Sequence, residues 1–260
     1  STYKINVMVA VDLNCDMGES TTSQKIGDDE GIMPFISSAN IACGFHGGDP
    51  QVIAATIDLA KKYQVAIGAH PSFPDLENFG RKEMEVDPAA IRNLIIYQVS
   101  ALKGMTASMN AVLTHVKPHG ALYNMAARRQ DYAEAIADGV MTIDPNLVLF
   151  GLAGSKMLSA AAEIGLRTCA EVFADRSYQD DGSLTPRTQP GAMIKDVQQA
   201  VQQVIGMVKG GRVRSMNGRW IELKAETICI HGDTPGAAEY AKAIRHGLEE
   251  AGIITKSYIK

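Results

Sequence analysis

The chain has 260 residues, 46% of them hydrophobic, and a formal net charge of -4, a size that suits one α/β barrel or two smaller domains. Mild acidity without a basic cluster argues against a nucleic-acid partner, and no run approaches the roughly 18–20 apolar residues of a membrane span. Cys15, Cys43, Cys169 and Cys229 sit in apolar runs with no CxxC spacing, so the expectation is buried thiols in a soluble cytoplasmic protein, with neither a disulfide framework nor a signal peptide.

Strand and helix patterns alternate from end to end. The first strand is expected over about Val7–Cys15 and the second over about Ile36–Cys43, followed by a helix opening at Asp49-Pro50, where Pro suits the first turn. The third strand is Val65–His70. A long helix follows from Asp87-Pro88 to about Ser108, with Ile91, Leu94, Ile95, Val99 and Leu102 at helical spacing. Val112–Val116 is strand four, and Ala121–Val140 reads as mostly helix. Leu147–Leu152 is strand five, with a helix over Ser155–Ile164; Arg167–Phe173 is strand six. A polar loop then leads to a helix over Ala192–Val208. Val213–Glu226 reads as a hairpin turning at Asn217-Gly218. Thr227–Ile230 is strand seven, the helix Pro235–Glu250 follows, and Ile253–Ile259 is an eighth strand or a tail.

Continuous apolar strands mean parallel strands covered on both faces. Seven or eight βα units in one domain over 1–260 favour a TIM-like (β/α) barrel; a doubly wound open sheet is weaker, since no Gly-rich dinucleotide turn follows strand one. A barrel enzyme keeps its active site at the C-terminal ends of its strands, and the strand ends here are polar.

Strand one carries Asp12, Asn14 and Asp16 on one face, with Leu13 and Cys15 on the other. Polar side chains on an inner face are costly unless they bind something or each other. Strand two delivers Asn40 and His46, and Gly47-Gly48 permits close backbone approach. Strand three ends in His70, and Arg81 farther on offers a cation for a carboxylate. Strand four ends in Lys117 and His119, near-neighbours on one face; Tyr123 follows. His115 and His119 are four apart, but Pro118 and the β-rich run imply extended chain, so one metal would not take both. Strand six supplies Glu171, Asp175 and Arg176, with Arg187 within reach, and strand seven supplies His231 and Asp233. His246, in the last helix, reads as surface. No GxxxxGK[ST] phosphate loop, GxSxG elbow or HExxH motif is present.

These blocks resemble a known family. DLNCDMGES at 12–20, SSANIACGFHGGDP at 37–50, IGAHPSFPD at 67–75, VKPHGALYN at 116–124, EVFADRSY at 171–178 and HGD at 231–233 are similar, in order, to the LamB/YcsF family over about Val11–Gly252. Lys82 departs from it, standing where the family often has a second Arg, and residues 1–7 precede its usual start. The resemblance implies a barrel of the glycoside hydrolase/deacetylase type, with seven strands. It also implies the A subunit of a three-part bacterial 5-oxoprolinase, opening 5-oxo-L-proline to L-glutamate with ATP and partner subunits B and C. With no phosphate loop, ATP is expected mainly at the partners or at the joint interface.

On that chemistry, Asp12 or Glu171 is the expected base, Lys117 stabilises negative charge, and His119 or His231 transfers protons. Asn14, Asn40, His46, His70, Arg81, Asp175, Arg176 and Asp233 are the expected substrate contacts. Two other readings stand beside it. One is a metal-dependent deacetylase-like hydrolase with Asp16, His46 and His70 as ligands. The other is a non-catalytic subunit that only holds substrate.

Overall fold

The computed structural model describes residues 9–233 and 235–259. Seven parallel strands close into a barrel: β1 (Val9–Met17), β2 (Ser38–Ala42), β3 (Ala66–His70), β4 (Leu113–Val116), β5 (Val148–Leu152), β6 (Arg167–Phe173) and β9 (Thr227–Ile230). Closure is the pairing of β9 with both β6 and β1. β1 is long enough to serve two partners. Asp12–Cys15 pair with β9, while Val9–Val11 pair with β10 (Ile253–Thr255), which lies beside the barrel rather than in it. The expected hairpin is present as β7 (Arg212–Arg214) and β8 (Trp220–Glu222), and it interrupts the alternation before the last barrel strand.

Among the described residues eight α-helices accompany the strands: α1 (Asp29–Ile32), α2 (Pro50–Tyr63), α3 (Pro88–Ser108), α4 (Gly120–Arg128), α5 (Gln130–Ile143), α6 (Lys156–Glu163), α7 (Val197–Gly210) and α8 (Ala237–Glu250). Their starts follow from capping chemistry. Asp49, Asp87, Ser155 and Asp196 each accept from backbone N–H groups of the first turn of α2, α3, α6 and α7, which would otherwise be unpaired.

Several boundaries differ from the sequence reading. The stretch 121–140 is two helices, because Arg129 is extended; its guanidinium pairs with Asp131 at 2.7 Å and with Glu85 at 2.6 Å and stacks on Tyr132. The seventh helix starts at Val197, where Asp196 caps it, not at Ala192. The first strand runs on to Met17, and the expected Val7 and Met8 lie outside the described residues. The four cysteines are free, and among the described residues no helix is long and apolar enough to cross a membrane.

The barrel interior is polar and built in steps along the strands. Asp12 is lowest, hydrogen-bonded to Ser37, Ser38 and Thr227. One pleat higher, Asn14 bonds Glu171, Thr227 and Asn40, and His115 meets Asn40 at 2.8 Å. Higher again, Asp16 and Lys117 reach the mouth. Gly68 on β3 makes room for this packing: a Cβ there would lie 2.1 Å from His115 Nε2.

Candidate active site

The C-terminal ends of the strands open into a cavity of about 690 Å³, within the size range of small-molecule sites. Its walls include Asp16, Glu19, His70, Arg81, Lys117, His119, Tyr123, Phe173, Arg176, Arg187, His231 and Asp233. Of the expected catalytic residues, Lys117, His119 and His231 line it. Asp12 and Glu171 do not. Asp12 lies two pleats below Asp16, saturated by three hydroxyls, so its expected role as water-activating base is withdrawn. Glu171 is fully buried under the floor, where it accepts from Lys117, Asn14 and Tyr123.

Among the expected substrate contacts, His70, Arg81, Arg176 and Asp233 line the cavity. Asn14 and Asn40 are bound to each other beneath it, and His46 lies behind His119 with the two rings stacked 3.6 Å apart. Asp175 sits behind His231. None of these four lines the cavity.

Lys117 Nζ reaches Glu171 at 2.9 Å and Asp16 and Asn14 at 3.1 Å each. Burial opposes its charge, but Asp16 and Glu171 outweigh burial and hold the ammonium well above the ordinary lysine value. For Asp16, burial likewise pushes up, and positive charge beside His70 Nε2, a proton or a cation in its place, together with Lys117 pulls its carboxyl well below the usual range. Asp16 is therefore an ionised acceptor facing the cavity and a weak base.

His231 Nδ1 lies 2.7 and 2.9 Å from the two oxygens of Asp175, and Arg187 donates to His231 Nε2 at 2.9 Å. A guanidinium only donates, so Nε2 carries the lone pair and Nδ1 the proton. Burial raises the Asp175 carboxyl, but its pair with His231 prevails and holds it below the ordinary value. Arg81 pairs with Asp233 at 2.6 Å. Arg176 donates to Thr185 O and has a buried Nε without a partner among the described residues. Burial, then the neighbouring Arg187, depresses its pKa to about 10. Of the three guanidiniums at this mouth, Arg81 is salt-bridged to Asp233, while Arg176 and Arg187 form no salt bridge among the described residues and offer donors to an anionic ligand.

The sequence reading missed Glu19. It follows Gly18, whose φ of +65° ends the strand alternation. Gly47 and Gly48 then bring the next loop against it: Gly48 N–H donates to Glu19 O, and a Cβ on Gly47 would lie 2.7 Å from that oxygen. Glu19 Oε1 thereby meets His46 Nε2 at 2.8 Å. With His70 and His119, these residues place one potential ligand atom each within 4.8 Å of one another. Burial, then Asp16, raises the Glu19 carboxyl to about 8. Burial also holds His46 and His119 well below the usual histidine value, hence as neutral imidazoles.

A closed (β/α) barrel with acid, base and cations converging on its C-terminal mouth has the layout of an enzyme active site. The chain belongs to the LamB/YcsF family, whose model matches residues 11–260. It is 55% identical over 244 residues to the A subunit of 5-oxoprolinase from Bordetella pertussis, covering 94% of this chain and 97% of that protein. It is 52% identical over 246 residues to the corresponding A subunit from Bacillus subtilis, covering 95% and 96%. A lactam utilization protein from Thermus thermophilus shares the structure with a TM-score of 0.91 at 44% identity, over 95% of this chain and 99% of that one.

Proposed function

We propose that this chain is the A subunit of a 5-oxoprolinase and that its cavity is where the lactam ring of 5-oxo-L-proline is opened to L-glutamate. The observation that carries the reading is the Asp175–His231 pair, with an unprotonated Nε2 at a cavity ringed by Lys117, Arg81, Arg176 and Arg187. The relatives, each named as the A subunit of a 5-oxoprolinase, supply the reaction class.

A lactam resists water because amide resonance quenches its carbonyl carbon. Transfer of a phosphoryl group from ATP to the carbonyl oxygen makes that carbon electrophilic. We place ATP at the partner subunits B and C or at their joint with this chain, and the complex in the cytoplasm. His231 Nε2 takes a proton as water attacks the carbon, with Asp175 fixing the ring and balancing the imidazolium. The C–N bond breaks as the ring nitrogen receives a proton from His231 or His119, and a second water then cleaves the resulting acyl phosphate to glutamate and inorganic phosphate. Lys117 stabilises negative charge through the cavity floor while Asp16 and Glu171 hold it in place. Arg81, Arg176 and Arg187 receive the substrate carboxylate. An anion that draws Arg187 away also frees His231 Nε2.

The test is reconstitution with subunits B and C, following glutamate formed from 5-oxoproline with and without ATP. The expected result is turnover only with all three subunits and ATP, and its loss in His231→Asn with the complex still assembled. Wild-type turnover by the His231→Asn complex would move the chemistry out of this cavity.

A further inference from the structure

We propose that Glu19, His46, His70 and His119 form a binding site for one divalent transition-metal ion, open to the cavity. The argument rests on where the ring protons must be. His70 Nδ1 lies 2.6 Å from the carbonyl of Lys117, and His119 Nε2 lies 2.7 Å from the carbonyl of Phe79. A carbonyl only accepts, so both of those nitrogens are protonated. In a neutral ring the other nitrogen is then a bare lone pair. These two lone pairs, His70 Nε2 and His119 Nδ1, face each other at 2.9 Å. Two acceptors at that distance repel unless a cation or a shared proton lies between them.

Glu19 Oε1 completes the set, 3.5 Å from His119 Nδ1, 4.0 Å from His70 Nε2 and 2.8 Å from His46 Nε2. Ligands about 2.0–2.1 Å from a tetrahedral zinc ion stand roughly 3.4 Å apart, and the observed separations bracket that value. The buried His46 ring has a second nitrogen, Nδ1, with no partner among the described residues. A backbone carbonyl on the far nitrogen of a histidine is also the usual support of a metal ligand, fixing tautomer and ring angle. The support at His119 is built at a conformational cost: Phe79 holds a φ of 55°, unusual for a residue with a Cβ, and Gly80 continues at +66°. A Cβ on Gly80 would lie 2.7 Å from the His119 ring and 2.9 Å from His46 Cβ.

Three imidazoles and one carboxylate suit zinc, cobalt, nickel, manganese or iron, and not calcium or magnesium, which take oxygen ligands. Glu19, His70 and His119 line the cavity, as does Asp16, whose Oδ2 lies 3.2 Å from His70 Nε2. One side of the site therefore faces solvent and substrate, as in catalytic rather than structural sites. A bound ion would supply a Lewis acid, or an acidified water, to the same cavity. The proposal shares that cavity with the proposed function, but its test needs neither substrate nor partner subunits.

The full chain is stripped with a chelator, dialysed, and titrated with Co²⁺ and with Zn²⁺. Elemental analysis gives the stoichiometry, and visible absorption of the Co²⁺ form reports nitrogen ligation. The expected result is one ion per chain, a raised unfolding temperature, and a ligand-field spectrum. His119→Asn and Glu19→Gln each weaken binding by about 100-fold or more, beyond the ~10–100-fold typical of losing an outer-shell partner. His246→Asn, at the surface, leaves it unchanged. Circular dichroism of each variant separates loss of the site from loss of the fold, and His70→Gln replaces any variant that does not fold. Sub-stoichiometric metal without a ligand-field spectrum overturns the proposal, leaving a shared proton between the rings. So does binding that survives all three ligand variants. Metal binding without turnover in the reconstituted complex would reject the proposed function and leave the metal site standing.

Discussion

His231 and Asp175 form a pair in which both carboxylate oxygens face one ring nitrogen, at 2.7 and 2.9 Å, and the opposite nitrogen turns to the cavity. The residues come from the ends of β9 and β6, which pair side by side as parallel barrel strands. If this pair moves the proton, His231→Asn lowers kcat in the reconstituted complex by about 100- to 10,000-fold, the range typical of general acid–base catalysis. Asp175→Asn lowers it too, while KM changes little for either. A variant that raises KM at unchanged kcat would assign His231 to binding.

Arg187 gives the opposite split. It donates to His231 Nε2 and lines the cavity, and its guanidinium makes no salt bridge to a carboxylate among the described residues. Arg187→Met is expected to raise KM for 5-oxoproline by more than it lowers kcat, because a carboxylate contact holds ground state and transition state alike. Steady-state kinetics of the three-subunit complex checks it; an unchanged KM removes Arg187 from carboxylate binding.

Lys117 also ties the barrel interior together through Asp16 and Glu171. Lys117→Met strands Asp16 and Glu171 as buried carboxylates, and breaking a buried pair in this way costs about 3–5 kcal/mol. The double variant with Glu171→Gln should recover part of that loss, since one of the two stranded charges is removed. Urea unfolding of the isolated chain measures all three. Additive losses would mean that the 2.9 Å contact between Lys117 and Glu171 carries no coupling.

The strand ends were legible in the sequence because two rules act together: side chains alternate on a strand, and a parallel barrel gathers every C-terminal end at one mouth. Those rules bring Lys117, His119, His70 and His231 to the cavity. They carry no information about depth. Asp12 and Asp16 satisfy the same alternation, yet Asp12 lies two pleats down among Ser37, Ser38 and Thr227, and only Asp16 reaches the cavity. Nor does alternation extend past a left-handed glycine. Glu19 lies one residue beyond Gly18 and is placed by contact with Gly47 and Gly48, a tertiary fact. The block DLNCDMGES contained it, but no local pattern set it apart. The break at Arg129 was hidden for a similar reason, since no Gly or Pro marks it and Glu85 lies far off in the chain.

Gly68 tests how tightly the interior is built. His115 Nε2 occupies the place of its missing Cβ, and His115 is fully buried and stacked on Phe150. Gly68→Ala should therefore destabilise the chain by about 1–3 kcal/mol, as overpacking does. Adding His115→Ala should cost less in that background than in the wild type. Equal costs in the two backgrounds would show that the ring moves aside freely.

Asp29 gives a pH dependence of stability whose sign can be worked out. It accepts from Gly18 N–H at 2.8 Å, at the turn that ends β1. Burial, reinforced by Asp28 and opposed by the Gly18 hydrogen bond and Lys25, raises its pKa from 3.8 to about 6. The native state therefore holds this proton more tightly than the unfolded chain does. The contribution is fully present below about pH 4 and is lost as pH rises through about 6. Asp29→Asn keeps an acceptor for Gly18 and removes the titration. The stability difference between variant and wild type should accordingly shift in the variant's favour between about pH 4 and pH 6 and level off above. Urea midpoints across that range decide it, since the other buried carboxylates are common to both proteins and cancel. A difference that stays flat with pH would mean that Asp29 is hydrated at the turn and that its carboxylate is not held out of water.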